Sequence, residues 1–253
     1  MKSPDDAARV DATREPDATP VMHQDWHHLL FLHWEVSPSG LQGLLPPDLD
    51  LDTFEGKAYV GLVPFTVTGA RASFTPPLPG ISSFHEVNVR TYVHRGGRDP
   101  GVWFFSLDAS SGLAVDVARA IYRLPYVFSA ITFEVADAPL PEISFQSVRD
   151  DPSGTMSARC DVRYRAMEGP VARARPGTLE FFLMERYLLY AADGARNLLR
   201  ARVFHQPYPL QRAEVLHLEE TLVWASGIRR PDSVPLRHYA REVNVTVYPP
   251  ERC

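Results

Sequence analysis

The sequence predicts a β-rich α+β fold in a single domain, its sheet mostly antiparallel and its helices few and short. Three observations carry the prediction. About ten segments have strand length and are rich in β-branched and aromatic residues. Strand segments do not alternate regularly with helical ones, which excludes a parallel, doubly wound sheet. No linker-like stretch divides the chain after residue 21, so one domain over 22–253 is expected, preceded by a polar leader over 1–21.

The totals agree. With 253 residues, 45% of them hydrophobic, the chain can bury a substantial core. A net charge of −5 speaks against a nucleic-acid partner, which is usually met by a basic surface. No apolar run approaches the roughly 20 residues of a membrane helix, so no membrane partner is expected. Met1 to Thr19 is polar and acidic, rich in Asp, Ala, Arg and Pro, and reads as a disordered leader rather than a signal peptide. Two cysteines, Cys160 and Cys253, fit a reducing, cytoplasmic setting and give no disulfide scaffold.

Along the chain, Trp26 to Glu35 carries Leu29-Leu30-Phe31-Leu32, short enough for a buried strand. Ser37-Pro38 opens a short helix, Ser as N-cap and Pro at the first helical position. Leu49 to Phe54 and Ala58 to Thr68 flank the Glu55-Gly56 turn and read as a hairpin. A proline-rich loop, Thr75 to Pro79, leads into the strand Phe84 to Val93, with Val102 to Leu107 as its partner. Asp108 to Ser111 starts a helix with Ala114, Val117, Ala118 and Ile121 on one face, ending before Pro125. Strands then follow at Tyr126 to Val135 and within Phe145 to Tyr164, turned near Asp151 to Gly154. Thr178 caps a short helix. Arg186 to Ala192 and Asn197 to His205 flank Asp193-Gly194, a strong hairpin signal, and Leu216 to Trp224 and Val243 to Tyr248 close the chain as strands.

The segment from Phe84 to Val93 organises this pattern. Side chains on a strand alternate between faces, so Glu86, Asn88, Arg90 and Tyr92 share one face while Val87, Val89, Thr91 and Val93 share the other. Facing water, the first set is the wet side of an ordinary antiparallel strand. Facing inward, it is a ready-made polar site. Glu242-Val243-Asn244-Val245 repeats the wording of Glu86 to Val89, either by chance or as the mark of a pseudo-symmetric barrel.

Several separated segments carry a family resemblance: Leu51 to Phe65, Glu86 to Val93, Phe104 to Asp108, Glu185-Arg186-Tyr187, Val203 to Leu210 and Val247 to Pro250. Together they resemble the YqjF-like family of uncharacterised proteins, DUF2071, over roughly residues 22–250. That family is grouped with the acetoacetate decarboxylase-like fold. The resemblance implies a barrel-like sheet around a small pocket and turns the polar face of the organising strand inward. It also implies that Glu86 matches a glutamate on the corresponding strand of the decarboxylases. Those enzymes carry a Gly-Tyr-Pro-Lys-Lys motif whose first lysine forms a Schiff base. The matching stretch here is Arg123-Leu124-Pro125-Tyr126-Val127, with Tyr126 and Val127 in place of both lysines. Of 26 basic residues only Lys2 and Lys57 are lysines, and neither lies where a lysine would be desolvated, so Schiff-base chemistry is not expected. A shared fold alone licenses no activity.

The candidate chemistry therefore rests on few residues. Arg90 can hold a carboxylate through two parallel hydrogen bonds, with Asn88 beside it. Glu86 can exchange a proton if burial raises its pKa, with Tyr126 or His205 as the partner acid or base. The competing structural assignments are an internal Glu86–Arg90 ion pair and a core tyrosine at Tyr126. His27, His28, His33, His85 and His205 show no metal-ligand spacing, so no metal is expected, and no cofactor motif is present. The expected partner is a small molecule, carboxylate or carbonyl, in an enclosed polar pocket. A lyase or hydratase using Glu86 is the alternative, and homo-oligomer formation is left open.

Overall fold

The computed structural model describes residues 3–77, 82–137, 140–149, 158–193 and 197–253. In chain order its elements begin with α1 (Asp6–Ala12), β1 (Met22–Val36), α2 (Pro38–Gln42), β2 (Asp50–Leu51) and β3 (Ala58–Ala72). Next come β4 (Phe84–Arg95), β5 (Arg98–Ala109), α3 (Gly112–Tyr122), β6 (Tyr126–Val135), β7 (Ile143–Arg149) and β8 (Arg159–Ala166). The chain continues with α4 (Leu179–Met184), β9 (Leu188–Asp193), β10 (Asn197–His205), β11 (Leu210–Glu220), α5 (Leu222–Ala225), β12 (Leu236–Val247) and β13 (Glu251–Arg252). All 13 strands belong to one sheet. Its pairs are antiparallel except β5–β6 and β5–β9, which are parallel.

Two extra pairings, β10–β12 and β5–β4, close this sheet on itself twice. The first ring runs β5–β9–β10–β12–β1–β3–β4 and returns to β5. The second runs β4–β5–β6–β7–β8–β11–β12–β1–β3 and returns to β4. The wall β12–β1–β3–β4–β5 is common to both. Two strands make the junctions by changing partners along their length. On β5, Val102 and Trp103 pair with β9, whereas Leu107 to Ala109 pair with β6. On β12, Val245 to Val247 pair with β10, whereas His238 to Ala240 pair with β11.

A wall shared by two rings is covered on both faces, and strands buried on both faces read as continuous apolar runs. That explains Leu29-Leu30-Phe31-Leu32. Leu29 and Phe31 enter the core of the β9/β10 ring, and Leu30, Leu32 and Trp34 enter the core of the β6–β8 ring. On β3, Val63, Phe65 and Val67 go to the first side and Val60 and Leu62 to the second. On β4, Val87 and Val89 pack into the second core beside Phe145, Val162 and Tyr164. The polar face of β4 is thereby turned into the first ring.

The structure departs from the sequence reading in several places. The leader is not wholly without structure. Asp5 caps α1 through a hydrogen bond from the Ala8 N–H, and Arg9 is buried with both terminal nitrogens on the carboxylate of Asp52. Leu49 to Phe54 does not pair with β3. Only Asp50–Leu51 is a strand, and it pairs with β4; beyond the Phe54↔Lys57 bridge β3 is already paired on both edges, with β1 and with β4, and has no edge left for the preceding segment. Leu222 to Trp224 leaves the strand for α5, anchored by the Val223 N–H on the Glu220 carboxylate. The Asp151 to Gly154 turn, Gly194 of the Asp193-Gly194 turn, Pro79 of the proline-rich loop and Lys2 lie outside the described residues.

Candidate functional site: a one-ended cavity in the first ring

The first ring encloses a cavity of about 560 Å³. Each of its seven strands contributes to the wall, with Phe31, Val63, Arg90, Val102, Leu189, Val203 and Val247 as examples, and α3 lies beside it with Ala114, Val117 and Ala118. Strand register gives the cavity a direction. Along β3 and β4 the pairs Val67↔Phe84, Phe65↔Glu86, Val63↔Asn88 and Gly61↔Arg90 succeed one another. Ala70, Ala72 and Pro76 lie beyond the first pair, toward the rim. Along β4, Arg90 is thus deepest and Glu86 lies midway, and the outer part is mainly apolar, with Gln24, Arg71, Thr75 and Ser82 among its polar groups. Gly61 leaves room for Arg90 at the deep end, since a Cβ there would stand 3.3 Å from Arg90 Cγ and 3.2 Å from the His33 ring, a tight contact.

Glu86, Asn88, Arg90 and Tyr126 all lie on this wall. Glu86 is only 3% exposed. The Tyr126 hydroxyl donates to one of its oxygens at 2.7 Å and the Asn88 amide to the other at 3.3 Å. Burial pushes the Glu86 carboxyl up to about 7. The two hydrogen bonds oppose that shift, and the nearby Asp108 carboxylate adds to it. Burial, then the charge of Glu86, pushes the Tyr126 phenol well above its ordinary range, so it stays protonated as donor.

Arg90 is 8% exposed and, among the described residues, forms no ion pair. Among the described residues its Nε and Nη2 are buried without a hydrogen-bond partner. Aromatic faces surround it, with the guanidinium carbon 5.5 Å from the Phe31 ring centre and 5.9 Å from that of Tyr92. The internal Glu86–Arg90 ion pair that the sequence allows is therefore absent. Behind Arg90, Tyr92 and His33 share a 2.6 Å hydrogen bond, and burial, then the charge of Arg90, holds the His33 imidazole well below its usual pKa.

Other candidates fall elsewhere. His205, a ligand-binding candidate from sequence, does not line the cavity. It is buried behind Trp26 and Tyr208, with ring centres 4.3 Å from Tyr208 and 4.6 Å from Tyr187, and Nδ1 lies 2.9 Å from the Gln206 carbonyl. Burial depresses its pKa to about 4. Lys57 is at the surface, 2.8 Å from Glu35, whose hydrogen bond raises its pKa, the opposite of what a Schiff-base lysine needs. Among the described residues no three His, Cys, Asp or Glu side chains gather to hold a metal ion.

Two contributors to the wall escaped the sequence reading. Arg186 forms a buried ion pair with Asp52 at 2.8 Å, but it also lines the cavity, and among the described residues its Nη2 has no hydrogen-bond partner. Its place in Glu185-Arg186-Tyr187, beside the resemblance, was the available signal. The α3 stripe was legible as an apolar face but reads as core. In the structure Val115 and Tyr122 make the buried contacts, while Leu113 and Ile121 are 53% and 51% exposed where α3 borders the cavity.

The fold of the chain is similar to that of acetoacetate decarboxylase-like proteins. Acetoacetate decarboxylase from Legionella pneumophila superposes with a TM-score of 0.65 at 14% identity, covering 93% of this chain and 88% of that one. The enduracididine biosynthesis enzyme MppR, in complex with pyruvate, superposes with a TM-score of 0.60 at 12% identity, covering 94% and 93%. At such identities the likeness concerns the fold. The chain belongs to the DUF2071 family of uncharacterized conserved proteins, whose pattern matches residues 23–244. It is also 38% identical over 234 residues to the uncharacterized protein YqjF of Bacillus subtilis (strain 168), covering 92% of this chain and 93% of that protein. Among the described residues no helix is long and apolar enough to cross a membrane.

Proposed function

We propose that the chain binds a small organic carboxylate in this cavity, with the carboxylate at Arg90 and the rest of the molecule running past Asn88 toward Glu86. The observation that carries the reading is the absence of an acid beside Arg90 among the described residues. A buried guanidinium without an acid, with two of its three nitrogens lacking a hydrogen-bond partner, is costly to maintain. A ligand carboxylate supplies two acceptors in the geometry a guanidinium fork prefers. The pyruvate held by the similarly folded MppR belongs to the same chemical class. A thermal-shift screen of small acids tests it: acids that raise the melting temperature of the wild type should leave Arg90→Ala unmoved and shift Arg90→Lys only partly. Equal shifts in wild type and Arg90→Ala would remove Arg90 from the site.

A second reading is favoured by Glu86. A carboxyl poised near neutrality, hydrogen-bonded to a phenol and four strand residues outward of Arg90, suits proton transfer at a carbon or hydroxyl of the ligand beyond its acid group. This is lyase or hydratase chemistry without a Schiff base. Any turnover found among the acids bound should show an inflection near pH 7 that Glu86→Gln abolishes. Turnover that is unchanged in Glu86→Gln would reject this assignment.

A further inference from the structure

We propose that the ligand is an amphiphilic monocarboxylate whose apolar body fills the outer part of the cavity and lies along α3. This deepens the carboxylate reading and rests on it. A short acid would occupy only the floor. The cavity measures about 560 Å³, within the roughly 300–1,000 Å³ that holds a drug-sized molecule. From Arg90 to Phe84 is six residues of strand, about 20 Å at ~3.4 Å per residue. The lining atoms of β4 that are buried without a hydrogen-bond partner, Asn88 Oδ1 and Arg90 Nε and Nη2, lie in the inner half of that length. Outward of Glu86 the wall includes Phe84, Met22 and Val247. The polar groups there are already engaged within the chain: Gln24 with Met22 and Trp26, Arg71 with the Gly69 carbonyl at 3.0 Å, and Thr75 with the Ala72 carbonyl.

The α3 stripe completes the picture. Leu113, Val117 and Ile121 recur at four-residue spacing, which puts them on one helix face, and all three border the cavity. Leu113 and Ile121 remain half exposed. An apolar enclosure of this size, left around a short acid, forgoes the dispersion contacts that a matching body would make. An acyl or aryl tail running outward covers the enclosure and the α3 stripe together, while its carboxylate satisfies the buried cation.

Isothermal titration calorimetry with acetate, butanoate, hexanoate, octanoate and decanoate tests this, each acid kept below its micellar concentration. Affinity should rise on the order of fourfold for each added methylene, the increment for burying one CH2, until the chain reaches the rim. Ala118→Phe, which fills the cavity beside α3, should weaken decanoate at least tenfold and leave butanoate unchanged. Val117→Trp repeats the test if Ala118→Phe loses cooperative unfolding. Butanoate bound as tightly as decanoate would overturn the amphiphile while leaving the carboxylate site intact. Chain-length dependence that persists unaltered in Arg90→Ala would overturn the carboxylate anchor, and with it this proposal. Absence of binding by every acid would overturn both.

Discussion

The two sides of the shared wall make an instructive pair. They use the same five strands and the same alternation, yet one side is filled and the other hollow. On the β6–β8 side Leu30, Leu32, Val60, Leu62, Val87 and Val89 meet Phe145, Val162 and Tyr164, all essentially inaccessible, and the space closes. On the β9/β10 side the same strands present Phe31, Val63, Glu86, Asn88 and Arg90 around a cavity. The difference teaches that stability and function are separated by strand parity. Odd positions of β4 build the scaffold, and even positions are free to carry polar groups that would be intolerable in the filled core.

That separation can be broken first by truncation. Phe145→Ala, in the filled core, should cost about 3–5 kcal/mol in urea unfolding, because a new void opens in close-packed surroundings. Leu113→Ala, at the rim of the cavity, should cost less than about 1 kcal/mol. Similar losses at both sites would show that the two sides are not distinct in packing.

Next, pH sharpens the contrast. Burial raises the Glu86 carboxyl from 4.5 to about 7, so the folded state holds its proton more tightly than the unfolded state does. Stability from this group is fully present below pH ~4.5 and is lost as pH rises through 7, on the order of 3 kcal/mol in all at ~1.4 kcal/mol per pH unit. Glu86→Gln should therefore be more stable than wild type at pH 8 and lose that advantage at pH 4. His205 has the opposite sign. Its imidazole falls from 6.5 to about 4, so its contribution is present above pH ~6.5 and lost as pH falls through 4. His205→Phe should flatten the acid limb of a stability-against-pH curve and leave the alkaline limb unchanged. An alkaline limb unaltered by Glu86→Gln would mean that Glu86 titrates in the native protein as an ordinary carboxyl.

Much of this was legible in the chain, and the limits are physical. The alternation of residues 84–93 sorts β4 into two faces without ambiguity, because the period is local. Which face looks inward is decided by the closure of the sheet, through pairings such as β10 with β12 and β5 with β9 that join distant segments. Periodicity carries no record of such contacts, and there the family resemblance, not the strand, pointed the right way. The repeated Glu-Val-Asn-Val shows the limit most clearly. β12 and β4 flank the central β1–β3 pair, yet they use the motif in opposite senses. On β12, Val243 and Val245 enter the core of the hollow ring, Glu242 is exposed and Asn244 donates outward to Asp25 at 2.6 Å. On β4 the glutamate and asparagine face the cavity and the valines pack away from it. The docking of Arg9 on Asp52 was equally invisible, since a seven-residue helix in a polar leader gives no sign of a partner 43 residues away. His205 drew attention as a titratable group near a family motif, but β10 turns it behind Tyr208.

The central claim is that a ligand carboxylate completes the buried Arg90. Calorimetric titration of the tightest-binding acid from the screen, against its own primary amide, tests it most directly, because the two ligands share every apolar contact and differ in charge. In the wild type the acid should bind about 100-fold tighter than the amide, the scale of a desolvated charged pair of roughly 3 kcal/mol. In Arg90→Gln the two should bind alike. Equal affinity for acid and amide in the wild type, or a preference for the acid that survives in Arg90→Gln, would contradict the account.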